Sequence, residues 1–219
     1  MKHLKRRANH NLVLFILCFI YIFVLGLFDG IIDRLHYIYF IILTAIFYFS
    51  ILSIKDTRQE FLYLPLIMII LTWVTEFLDM PYLSTITGIA SVLFFFYIIV
   101  YLVIRVASSK QVGSLEFLES INVYLLMGIA ASLLFTLVYS ANHEAYNPPG
   151  NILKTHADFI YYSFVTITTL GYGDITPVDS LSRSLSIFFS VAGQLYLTMI
   201  IAMLVGKYLG QKTTDDLDK

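Results

Sequence analysis

Six apolar runs, at about 11–28, 35–54, 61–79, 82–106, 117–140 and 182–208, leave this chain few ways to fold. Each can cross about 30 Å of hydrocarbon at about 1.5 Å per helical residue. A soluble domain of 219 residues has no interior large enough for so much apolar surface, whereas lipid accepts it. In hydrocarbon every backbone polar group needs a partner within the protein, and bundled helices meet that demand. The expected fold class is therefore an all-α membrane protein. One stretch breaks the pattern. Between the last two runs lies the polar, glycine-rich strip Thr168-Thr169-Leu170-Gly171-Tyr172-Gly173-Asp174, preceded by a short apolar run at about 157–168. That run is too short to span, so it predicts a re-entrant helix. The strip is affordable only where it is buried in protein or lines a wet path.

The placement of charge gives a topology. With the N-terminus inside and six spans, the inner segments hold Lys2, Lys5, Arg6, Arg7, Lys55, Arg58, Arg105, Lys110, Lys207, Lys212 and Lys219. The outer segments hold only Arg34, Lys154 and Arg183, a strong positive-inside bias. Both termini are then cytoplasmic, and the strip ends on the outer face. Tyr63, Trp73, Tyr82 and Tyr208 fall near span ends, where amphipathic rings favour the headgroup level. The basic start invites comparison with a signal peptide, but the run that follows is long and Phe28-Asp29-Gly30-Ile31 is a poor cleavage site, so a retained helix is expected. A net charge of -1 gives no case for a nucleic-acid partner, and Cys18 alone in an apolar run forms no intrachain disulfide. No nucleophile–base pair, metal-ligand cluster or phosphate loop stands out, so the chain is not read as an enzyme and no cofactor is expected.

The strip carries the chemistry. A filter for a dehydrated cation needs a regular stack of oxygens, which backbone carbonyls supply if successive residues turn them toward one axis. Gly171 and Gly173 suit that geometry because glycine enters left-handed backbone space cheaply. Thr169 adds a hydroxyl at the inner end. The short helix before the strip ends near Thr168, and the partial negative charge of a helix C-terminus favours a cation there.

Thr169, Gly171, Tyr172, Gly173 and Asp174 match Thr-x-Gly-Tyr-Gly-Asp, and on them the chain resembles the six-span, pore-loop potassium channels of the voltage-gated-like superfamily. The resemblance implies a homotetramer, since one strip per chain cannot surround an ion, with lipid as the other neighbour. It implies K+ held at Thr169, Leu170, Gly171 and Tyr172, with Gly173 completing the filter. It also implies support from Tyr161, Tyr162, Val165, Thr168 and Asp174. Leu170 stands where valine is commonest, and Tyr161-Tyr162-Ser163 where the family often has Trp-Trp-Ser. Val165 stands where some members carry a buried glutamate, so a mechanism built on that carboxylate does not transfer. Gly193 falls at the hinge glycine of the inner helix, and close packing is the equal alternative. Gln194 and Thr198 face cavity water or bond a neighbouring helix, and periodicity does not decide between them.

The resemblance divides the chain into a cytoplasmic start with a four-helix, sensor-like bundle at 1–113, a pore domain at 114–208 and a short cytoplasmic tail at 209–219. A voltage sensor needs several positive charges in the field, each worth about 2.3 kcal/mol per 100 mV. The fourth run holds only Arg105, at its inner edge, so steep voltage gating is not expected. A tail this short leaves gating to the membrane part, the filter or a separate regulatory partner. Glu76 and Asp79 read as solvated end charges. Glu116 and Glu119 read as helix-start acids, with Arg105 or Lys110 in reach, and His143 and His156 as exposed outer-loop histidines. The expected function is passive, selective K+ conduction across a plasma membrane, of prokaryotic type. A weakly selective cation channel and a non-conducting assembly or sensor subunit are the alternatives.

Overall fold

The computed structural model describes residues 2–28, 31, 35–53, 81–109, 113–147 and 156–217, with single positions at 67, 70, 71, 74, 75 and 78. Six α-helices account for nearly all of it: α1 (Lys2–Phe19), α2 (Leu35–Ser53), α3 (Pro81–Ser108), α4 (Ser114–Ala141), α5 (His156–Ile167) and α6 (Ser180–Leu217). Beyond α1 the same coil widens to a π-helical stretch at Ile20–Val24 and tightens to a 3-10 turn at Leu25–Phe28. Among the described residues, five stretches are long and apolar enough to cross a membrane: Arg6–Phe28, Leu35–Ser53, Ile86–Ser108, Ser114–Ala141 and Ser180–Lys207. The chain is a multi-pass, mostly helical membrane protein.

The helix bounds differ from the expected ones in instructive places. The first helix begins inside the basic run rather than at Asn11, because Lys and Arg are good helix formers and the apolar face ends before the helix does. The last helix continues to Leu217, through most of the stretch read as a tail. The predicted span 61–79 falls mostly outside the described residues, and Tyr63, Trp73, Glu76, Asp79, Arg34, Lys55, Arg58, Lys110 and Lys154 and the side chains of Tyr82 and Tyr208 fall outside them.

Helix α4 is the central element: it packs on α1, α3, α5 and α6, and more than half of its length is buried. In lipid there is no water to expel between helices, so close contact and hydrogen bonds must hold them together. Its small residues serve that end. Ala130 and Ala131 are fully buried, and a side chain at Gly128 would occupy the space of the Phe164 ring of α5. Aromatic pairs join the other helices, with Phe47 of α2 stacked on Phe95 of α3 at 4.2 Å. Phe135 of α4 sits 4.9 Å from Tyr162 of α5 and 5.5 Å from Phe189 of α6. Cys18 is buried in this core, a packing residue. Outward-facing apolar side chains such as Leu12, Leu93, Val100 and Ile104 stay at least half exposed, a surface suited to lipid.

The C-terminal end of α4 and the N-terminal end of α6 are knotted together. Asp179 caps α6 by accepting the Ser182 N–H at 2.7 Å, and its other oxygen accepts from Asn142 Nδ2 at 3.1 Å, just past α4. Those N–H donors, Ser182 first, hold the Asp179 carboxyl below the usual carboxylate range. Ser182 Oγ and the Val178 N–H both donate to the Ala145 carbonyl. A two-residue antiparallel pairing, β1 (Tyr146–Asn147) with β2 (Thr176–Pro177), closes the knot beside the strip.

Candidate functional site: the glycine-rich strip and its cradle

Helix α5 ends one residue before the strip and controls it through its last carbonyls. The Phe164 carbonyl accepts the Thr168 N–H, the Thr166 carbonyl accepts the Thr169 N–H, and the Val165 carbonyl accepts both the Leu170 and Gly171 N–H groups at 3.0 and 3.2 Å. Four successive N–H groups are thus turned back onto the helix. A trans peptide carries its C=O antiparallel to its N–H, and no cis bond is present among the described residues. The carbonyls of Thr168, Thr169 and Leu170 therefore point away from the helix end.

Backbone angles carry the pattern further. Thr169, Gly171 and Gly173 have φ of +59°, +58° and +78°, while Leu170 and Tyr172 between them are not in positive-φ space. Alternation of this kind brings successive N–H groups to one side of a strand and successive carbonyls to the other. The two glycines take these angles at little cost. Thr169 does not, since a β-branched residue in that region is strained by on the order of 1–3 kcal/mol.

Side chains from α5 and α6 brace the strip at both ends. At the Asp174 end Tyr161 donates its hydroxyl to Asp174 Oδ2 at 2.5 Å, and the Ile175 N–H donates to Asp174 Oδ1 at 2.9 Å. The Tyr161 hydroxyl, chiefly, holds the Asp174 carboxyl below its ordinary value. Tyr162 is buried and shares a 2.7 Å hydrogen bond with Ser186 of α6. At the Thr168 end Thr168 Oγ1 donates to the Phe164 carbonyl at 2.6 Å, and Gln194 Nε2 of α6 donates to Thr169 Oγ1 at 3.1 Å. Gly193 lies against Ile167, whose carbonyl and side chain fill the space a Cβ would take, and α6 runs through Gly193 without a break. A cleft of about 450 Å³ lies between strip, α5 and α6, bordered by Val165, Thr166, Thr169, Gly171, Ser186 and Ser190. Leu170 and Tyr172 extend outward from the strip, 54% and 66% exposed in the single chain.

The two tyrosines standing where tryptophans are common thus have separate partners, Asp174 and Ser186. Thr198 folds its hydroxyl back onto the Gln194 carbonyl of its own helix at 2.8 Å, while Gln194 turns to the strip. Glu116 does act at a helix start, accepting the Gly113 N–H at 3.0 Å. Glu119 does not: it is buried one turn further on, where Arg7 grips both its oxygens at 2.7 and 2.5 Å. Asn11 Nδ2 adds a bond at 2.9 Å and Arg105 lies 3.5 Å away. Arg105 also donates to the Ser53 carbonyl, so α1, α2, α3 and α4 meet at one buried charge. His143 rests on the Tyr139 ring, and His156 opens α5 with its ring between Tyr39 and Phe40 of α2. The roles of Gln194, Gly128 and Arg7 were beyond sequence reading, since nothing local in the chain marks their partners.

Residues 123–209, from the middle of α4 through the strip and most of α6, match a family model described as an ion channel. Over 85 residues, 38% of this chain, the sequence is 34% identical to two-pore potassium channel 2 of Arabidopsis thaliana. Over 74 residues it is 40% identical to potassium channel K2 of Plasmodium berghei, and over 98 residues 31% identical to two-pore potassium channel 3 of Arabidopsis thaliana. The matched stretches cover 17%, 5% and 20% of those three relatives. No solved structure matches. Over this segment the chain is thus similar to an ion-channel family model and to proteins named as potassium channels.

Proposed function

We propose that the chain forms a potassium-selective channel that conducts K+ passively, with Thr169, Leu170, Gly171, Tyr172 and Gly173 as its filter. The observation that carries this reading is the return of four successive N–H groups to the end of α5. It leaves the strip's carbonyl side free to replace the water around a cation. Potassium-channel relatives over the same residues support the choice of ion.

One strip supplies one side of a ring, so the channel is a homotetramer with α6 lining the inner path. Ile187, Val191, Leu195 and Met199, spaced by four along α6, are 52–65% exposed in the single chain, a stripe that lipid or a second copy would cover. Leu170 and Tyr172 have their natural cover in a neighbouring copy. The pore domain is 114–208, the first four spans flank it, and both termini are cytoplasmic in a prokaryotic plasma membrane. Gly193 serves as a packing notch in the described state and as the inner-helix hinge when the path opens. Arg105 is the sole cation in α3 and is held by Glu119 and the Ser53 carbonyl, so the channel is not steeply voltage-gated. Its gating, if any, rests on the membrane part, the filter itself or a separate regulatory partner.

The test is ion flux into vesicles carrying the purified chain, for wild type and Gly173→Ser. K+ flux far above Na+ flux, with selectivity lost in the variant because serine is strained at positive φ, supports the reading. Equal K+ and Na+ flux in the wild type favours a weakly selective pore, and no flux favours a non-conducting subunit.

A further inference from the structure

Thr169 is the one non-glycine residue with positive φ among the described residues, and it is β-branched. Such a conformation persists only where the surroundings over-determine it. Its backbone is fixed by one bond, to the Thr166 carbonyl, and its side chain by another, from Gln194. Gln194 reaches it because Gly193 lets α6 press on the Ile167 carbonyl, two residues before Thr169. Two adjacent positions of α6 therefore grip the junction of α5 and strip, one by contact and one by a hydrogen bond.

We infer that Gln194 is a positioning residue for ion binding, which fixes the Thr169 hydroxyl so that its oxygen faces the innermost ion site. The inference rests on the filter reading above. A hydroxyl oxygen has two lone pairs and one hydrogen. Accepting the Gln194 N–H occupies one lone pair and sets the rotamer, leaving the second free for a cation. An apolar residue at 194 would release that rotamer and let the hydroxyl turn to other partners. The same bond joins the inner helix to the filter, so a movement of α6 near Gly193 alters the innermost site directly.

A double-mutant cycle tests this on the whole chain, purified in detergent, with Gln194→Leu, Thr169→Ala and both together. The readouts are the K+ concentration that half-protects the protein against thermal unfolding, and the K+ against Na+ reversal potential. Gln194→Leu is expected to weaken apparent K+ affinity about fivefold, about 1 kcal/mol. It is expected to add nothing in the Thr169→Ala background, since the hydroxyl it positions is gone. Unchanged affinity, tighter affinity, or the same fivefold loss in the Thr169→Ala background overturns the inference. If Gln194→Leu does not assemble as the wild type does, Gln194→Met, unbranched and of similar length, is read in its place. A wild type that carries no selective current but shows the K+-affinity coupling would sink the channel reading and leave the positioning role standing.

Discussion

The strip and the charge knot around Glu119 solve one problem, polar groups inside a membrane protein, by opposite means. At the strip the backbone does the work: N–H groups of residues 168–171 fold onto the last carbonyls of α5, and side chains only brace the result. At the knot side chains do it: Glu119 is closed by Arg7, Asn11 and Arg105, residues up to 112 positions away in the chain. A backbone solution needs particular residues at consecutive positions. A side-chain solution needs only complementary groups that the fold brings together. The first leaves a motif and the second leaves none.

The largest expected effect falls on the knot. Glu119→Ala leaves two partly buried guanidinium groups without their carboxylate, and removal of one partner of a buried pair costs about 3–5 kcal/mol. Thermal or denaturant unfolding in detergent should show that loss, while K+ selectivity of the protein that remains folded should not change. A selectivity change of the size expected for Gly173→Ser would break the contrast between the two regions.

A smaller loss is expected where α6 meets α5. Gly193→Val forces a side chain into the Ile167 carbonyl, and overpacking of this kind costs about 1–3 kcal/mol. Because the contact lies beside Thr169, both unfolding and ion flux should respond. A response in unfolding alone would separate Gly193 from the conducting machinery.

The smallest effect is one of pH. Asp174 has its carboxyl lowered mainly by the Tyr161 hydroxyl, so its charge, and any stability that charge contributes, is fully present above the ordinary carboxylate pKa. Both are lost only as the pH falls through the lowered value. Tyr161→Phe removes the hydroxyl, so the acid midpoint of conductance should move upward. An unmoved midpoint would mean that the Asp174 charge does not govern the acid response.

These regions also mark how far the sequence could be read. The bounds of α2, α3 and α4 lie within a few residues of the apolar runs, because membrane thickness dictates how long a spanning run must be. The end of α6 lies further out, although Gly210, Thr213, Thr214, Asp215 and Asp216 are weak helix formers, so local propensity does not announce it. Positive φ at Gly171 and Gly173 follows from glycine chemistry, and the same angle at Thr169 has no local cause. The separate partners of Tyr161 and Tyr162 depend on which way each ring leaves α5, which spacing does not specify. Glu119 resembled a helix-start acid because its cation lies at the far end of the sequence.

The most direct test of the central claim is the reversal potential of the purified wild-type chain in a planar bilayer with asymmetric K+ and Na+. Filtering by backbone carbonyls predicts a reversal near the potassium potential. A robust current that reverses near zero would contradict it.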